Sequence, residues 1–147
     1  MTPDPSKNGS AGVPVAPADP RIRRVLVALH NKYLSPLSPE QIASSLNLSQ
    51  SRLAHLFRQQ VGTSLTRYVR RLRLAEARKL IETTTERIQQ IEVRCGFNHS
   101  GRFASDFKRE FGMSPSECRA RAVADRALAD PLSGSDFRMQ TAKSVQR

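Results

Sequence analysis

The chain has 147 residues, which is room for one small domain with tails. Lys and Arg number 24 against 13 Asp and Glu, giving a net charge of +11 and a pI near 11.0. That balance calls for a polyanionic partner, and it excludes a membrane-spanning chain because no apolar run approaches ~18 residues.

Residues 1–18 hold Pro3, Pro5, Pro14 and Pro17 among Ser, Gly and Ala, with almost nothing to bury. Such a stretch cannot offset its ordering entropy and is expected to be disordered. It also lacks the basic-then-apolar pattern of a secretion signal, so the cytoplasm is the expected compartment. Order begins at Asp19-Pro20, a cap followed by proline at the first helical position. Ile22, Val25, Leu26 and Leu29 then recur at helical spacing as far as Tyr33.

Ser38-Pro39 opens a second helix with Ile42, Ala43 and Leu46 on one face. Ser49 caps a third over 50–60, with Leu53, Leu56 and Phe57 facing a core. After Gly62 a long helix runs over about 64–82, its inward residues read as Leu65, Tyr68, Val69, Leu72, Ala75 and Leu80. Thr83 with Glu86 has the spacing of a capping box for a fifth helix bearing Ile88, Ile91 and Cys95. A turn at Gly96-Phe97-Asn98 leads to a sixth with Phe103, Phe107 and Phe111, which Gly112 ends. Ser114-Pro115 opens the last, reaching about Leu128, and residues 130–147 return to a flexible composition.

Two of these stretches are one device used twice. Ile42, Leu46 and Leu48 match Ile91, Cys95 and Phe97 at an offset of 49. Leu53, Phe57, Gly62 and Ser64 match Phe103, Phe107, Gly112 and Ser114 at an offset of 50. Each copy reads as a short helix, a tight turn and a longer helix, the helix-turn-helix plan. The expected fold is therefore all-α: about seven helices, with helix-turn-helix subdomains over about 38–62 and 85–112 joined by the linker helix. Together they form one DNA-binding domain over 19–129. The basic charge lies here too, since residues 20–119 carry a net +10. A linker of 19 residues spans about 28 Å, against roughly 34 Å between successive major grooves on one side of B-DNA. One chain is then expected to place two reading heads in consecutive grooves as a monomer.

Other chemistries find little support. Cys95 and Cys118 lack metal-ligand spacing and read as small buried thiols, so no metal is expected. His30, His55 and His99 fall on different elements, with no nucleophile–base set and no phosphate loop, so neither an enzyme nor a cofactor is expected. The apolar residues are needed for a core, which argues against a membrane-surface helix. RNA stacking platforms are also lacking, with no Trp and two Tyr.

On the third helix Leu53, Leu56 and Phe57 face inward, so Ser51, His55 and Arg58 face outward, flanked by Arg52 and Gln59. Ser51, Arg52, His55 and Arg58 are the expected base readers, arginine to guanine being the commonest specific contact. On the sixth helix Gly101, Ser105 and Lys108 face outward beside Arg102 and Arg109. His99, Arg102 and Ser105 are the readers expected there. Lys108 and Arg109, together with Gln50 and Ser100 at the helix starts, are expected on phosphates. Gly101 offers no side chain, so the second unit is expected to discriminate bases less. Arg67, Arg70, Arg71 and Arg78 read as a solvated face of the long helix. Asp106 lies near the inward side with its partner open.

The run LSQSRLAHLFRQQVG over 48–62, RLAEA over 73–77, Gly96-Phe97, Phe103, Phe107-Lys108-Arg109, FGMSPSE over 111–117 and Arg119 together resemble the DNA-binding domain of the AraC/XylS transcription regulators. The resemblance covers roughly residues 20–121. It implies a bilobed all-α domain that binds double-stranded DNA near promoters and activates transcription by touching RNA polymerase. It also implies base contacts at Ser51 and His55, and a structural role for Arg73 in packing or an internal ion pair. Where the family often has arginine, this chain has Ser105. No stretch is left for the effector domain that most members carry, so a short, stand-alone form, or else a shortened relative that lost its sensor, is expected. The rival reading is a non-activating antagonist or architectural protein held mainly by the phosphate backbone.

Overall fold

The computed structural model describes residues 16–98 and 101–129. Most of the expected amino-terminal tail and all of the carboxy-terminal one lie outside the described residues. Residue 18 is an exception to the expected disorder, because its amide donates to Gln60 Oε1 at 3.0 Å.

Seven α-helices account for the regular structure among the described residues: α1 Pro20–Lys32, α2 Pro39–Ser45, α3 Gln50–Val61, α4 Leu65–Thr83, α5 Ile88–Arg94, α6 Phe103–Phe111 and α7 Pro115–Ala129. Their starts follow local chemistry. Asp19 Oδ1 accepts the Arg21 amide at 2.9 Å, and the Ser38, Ser49 and Ser64 hydroxyls accept amides three residues on. Each satisfies one of the donors that a first helical turn leaves unpaired. At α7 the capping is reciprocal: Ser114 Oγ accepts from Glu117 N, and Glu117 Oε2 accepts from Ser114 N at 2.6 Å.

Two compact units divide the chain. Among the described residues, the first comprises 16–32 together with 37–67. In it α2 and α1 pack on α3, and Ile22, Val25, Leu29, Ala43, Leu53, Leu56, Phe57 and Leu65 are buried. The second comprises 33–36, 68–98 and 101–129. Its core gathers Leu74, Ala77, Leu80 and Ile81 of α4 with Ile91, Cys95, Phe97, Phe103, Phe107 and Cys118.

Three expectations need correction. The buried stripe of α4 runs through Leu74, Ala77 and Ile81, while Ala75 is exposed. The inward slot one turn before Ala77 is taken by Arg73, whose polar head breaks the apolar pattern. Second, α5 starts later than the Thr83/Glu86 spacing implies. Its first turn is closed by Gln90, whose Oε1 accepts the Arg87 amide at 3.2 Å, while Thr83 Oγ1 donates back to Lys79 O within α4. Third, α6 begins at Phe103, so Gly101 and Arg102 stand in the turn before it. Arg102 supplies no side-chain cap, in contrast to Ser49 in the first copy.

Both cysteines are free thiols, and both are buried in the second unit. Burial pushes the Cys95 thiol up to about 11 and raises Cys118 as well. Only the thiolate attacks disulfide reagents, so native protein at pH 8 should react far more slowly than urea-unfolded protein. A colorimetric thiol assay checks this. Rapid labelling of both cysteines without denaturant would contradict the packing described.

Candidate nucleic-acid interface

The turn that sets each recognition helix is built the same way twice. In the first unit Leu48 N donates to Ala43 O at 2.9 Å, with Asn47 at φ 55°. In the second, Phe97 N donates to Glu92 O at 3.0 Å, with Gly96 at φ 79°. Both are six-residue closures around a left-handed residue, the way helices commonly end. The sequence repeat is thus a repeat of backbone hydrogen bonding.

In the first unit, α3 presents Ser51, Arg52, His55 and Arg58, all exposed, and Gln50 is exposed as its first residue. Ser51, His55 and Arg58 fall within a narrow arc opposite the buried Leu53, Leu56 and Phe57. The helix has no acidic residue, and among the described residues no ion pair engages Arg52, His55 or Arg58. This face is positive, rich in donors and, among the described residues, unoccupied by internal partners. The hydroxyl of Ser49 takes up the Arg52 amide, leaving the earlier amides of the first turn without intrahelical acceptors. Such amides, with the helix dipole behind them, suit a phosphate.

The second unit is different in character. Ser105, Lys108 and Arg109 are exposed on α6 and Arg102 just before it. His99 and Ser100 lie outside the described residues. Ser105 Oγ donates to Arg102 O at 2.9 Å, so its proton is engaged and only lone pairs remain for a base edge. Arg109, expected on a phosphate, donates its Nη2 to Asp106 Oδ1 at 2.6 Å while its side chain stays 76% exposed. The other oxygen of Asp106 faces Arg70 of α4 as an ion pair without hydrogen-bond alignment. Arg71 of α4 meets Glu110 of α6 at 2.7 Å.

The arginines of α4 are solvated, as expected, but three of them are also partnered. Arg70 and Arg71 strap α6, and Arg78 pairs with Glu82 while lying 5.0 Å from the Phe111 ring centre. Arg73 is structural, and its partners are carbonyls instead of an acid. It donates to Tyr33 O at 2.7 Å, Ser35 O at 3.1 Å and Gly96 O at 3.3 Å. The sequence places Asp106 near the inward side of α6 with its partner open, and the structure supplies two, Arg70 and Arg109.

A helix-turn-helix family model matches residues 42–121, more than half of the chain. A structure of an AraC-type DNA-binding regulator from Chromobacterium violaceum superposes with a TM-score of 0.64 at 33% identity, over 70% of this chain and 92% of that one. The chain belongs to the AraC-type helix-turn-helix family. The transcriptional activator RhaS of Enterobacter sp. is 37% identical over 101 residues, 69% of this chain and 36% of RhaS. The chain thus spans about a third of the length of that relative. The DNA-binding domain of AdpA, solved in complex with a target DNA, matches with a TM-score of 0.63 at 27% identity, over 74% of this chain and 97% of that one. Members of this family are DNA-binding transcription regulators. Among the described residues no group of three or more His, Cys, Asp or Glu could hold a metal, and no helix is long and apolar enough to cross a membrane.

Proposed function

We propose that the chain is a sequence-specific transcription regulator of the activating kind, bound to double-stranded DNA as a monomer in the cytoplasm and touching RNA polymerase. Each unit lays the second helix of its helix-turn-helix, α3 or α6, in a major groove, the two grooves being successive ones. Ser51, Arg52, His55 and Arg58 read bases from α3, and the Gln50 turn seats a phosphate. Arg102 and Ser105 with His99 supply weaker readout in the second unit, where Lys108, Arg109 and Ser100 serve the backbone. The observation that carries this reading is the outer face of α3, acid-free and without internal partners among the described residues. The activating role rests on the likeness to RhaS, whose name describes an activator.

The test is selection of bound sequences from a random duplex pool by the full chain at two salt concentrations. The expected result is an asymmetric motif over about two turns, sharper in the half read by α3. Replacing Arg52 and His55 with Ala should flatten that half, at ~1–3 kcal/mol for each well-formed side chain–base hydrogen-bond pair removed. A pool without information, combined with steep salt dependence, would mean backbone binding alone and would refute specific readout.

A further inference from the structure

The second recognition helix carries a charge that a DNA-facing helix should avoid. Asp106 is the one buried charged residue among those described, and a carboxylate next to a phosphate backbone is repulsive. Burying it also costs solvation that its partners must offset, and buried ion pairs are on balance poor stabilisers. What Asp106 does have is geometry. One oxygen faces Arg70 on α4, which is half-exposed, and the other holds Nη2 of Arg109 at 2.6 Å. Arg109 is three residues further along α6 and 76% exposed, so the pair is fixed at the carboxylate end and open at the guanidinium end. Glu110, bound to Arg71, repeats the anchoring to α4 one turn further on.

From this arrangement we infer that Asp106 is a positioning residue: anchored to α4 by Arg70, it holds the Arg109 guanidinium in one orientation on the outer face of α6, ready for a DNA phosphate. The inference rests on the proposed contact of α6 with DNA. An unheld arginine would lose much of its rotamer freedom on binding. One already clamped through a single nitrogen loses less, and its other N–H groups stay available for a charge-assisted bond.

The experiment measures affinity of the full chain for its selected duplex across a salt series, for the native protein, Arg109→Gln, Asp106→Asn and the double variant. Arg109→Gln should lower the slope of log K against log salt by about 0.9, the signature of one phosphate contact. Asp106→Asn raises the net charge by one, so simple long-range attraction would tighten binding and steepen the slope. The expected result is the opposite: binding roughly three- to tenfold weaker and a slope shallower by up to about 0.9, with neither change when Arg109 is already Gln. Loss of folding alone would reduce the active fraction and leave the slope untouched. Tighter binding by Asp106→Asn would make the carboxylate a competitor for Arg109 and overturn the inference, as would an equal loss in the Arg109→Gln background. Should Arg109→Gln itself leave the slope unchanged, the proposed contact of α6 with DNA fails at this residue, and the inference goes with it. Arg70→Gln keeps the carboxylate but removes its anchor and should shift the slope the same way by less. It is the variant to measure if Asp106→Asn does not fold, and an unchanged slope there would count against the clamp.

Discussion

Phe107→Ala is expected to destabilise the second unit by about 3–5 kcal/mol, the usual cost of emptying a fully buried aromatic site. Phe107 has no exposed surface, and its ring stands 5.8 Å from Phe103 and 4.7 Å from Phe111, while Phe103 lies 5.0 Å from Phe97. Three of these four rings come from α6, so this row is what turns that helix towards Leu74, Ala77 and Ile81 of α4. Removing the middle ring leaves a void that stiff neighbours fill poorly. Domains of this size are typically stable by only about 5–15 kcal/mol, so such a loss threatens the folded state itself. Phe111→Ala should cost less, because that ring is half-buried and its outer side carries Arg78 at 5.0 Å. Urea unfolding followed by helix circular dichroism ranks the two. A loss below about 1 kcal/mol at Phe107 would contradict the packing of α6 against α4.

The sequence shows most of the helices well because they are announced twice, by apolar period and by a capping residue. Ser38, Ser49, Ser64 and Ser114 all accept the amide that their position promises. The repeat is legible for the same reason: Asn47 and Gly96 are residue types that tolerate positive φ, placed at equivalent points of two turns. Less legible is whatever depends on helix rotation. The α4 stripe passes from Val69 to Leu74 with Arg73 turned inward between them, and apolar periodicity alone steers the reading one residue astray to Ala75. The start of α6 is hidden because Gly101-Arg102 offers no cap comparable to Ser49. For the candidate site, the outward face of α3 follows directly from the inward one. The occupation of Arg109 does not, because it depends on a carboxylate one turn back and an arginine on another helix.

Gly96→Ala should be the most damaging of the turn-glycine replacements, and the reason is Arg73. Gly62, Gly96 and Gly112 all have positive φ, at 82°, 79° and 75°, so alanine at any of them pays roughly 1–2 kcal/mol for the left-handed backbone. At Gly62 and Gly112 an added Cβ meets nothing within 4 Å. At Gly96 it would come within 3.2 Å of both Cζ and Nη1 of Arg73. That guanidinium is not free to retreat, being held by the carbonyls of Tyr33, Ser35 and Gly96 itself. Pushing it aside breaks charge-assisted hydrogen bonds worth about 1.5–3 kcal/mol each. Gly96→Ala is therefore expected to cost about 2–4 kcal/mol, clearly more than Gly62→Ala or Gly112→Ala. Arg73→Lys should not substitute for the native residue, because a single ammonium cannot reach three carbonyls arranged around a planar fork. Combining Arg73→Met with Gly96→Ala separates the two contributions: once the guanidinium is gone, the alanine penalty should fall to that seen at Gly62. Equal penalties at all three glycines in the native background would mean that Arg73 yields easily, and that residues 33–36 are held to the second unit by something other than its hydrogen bonds.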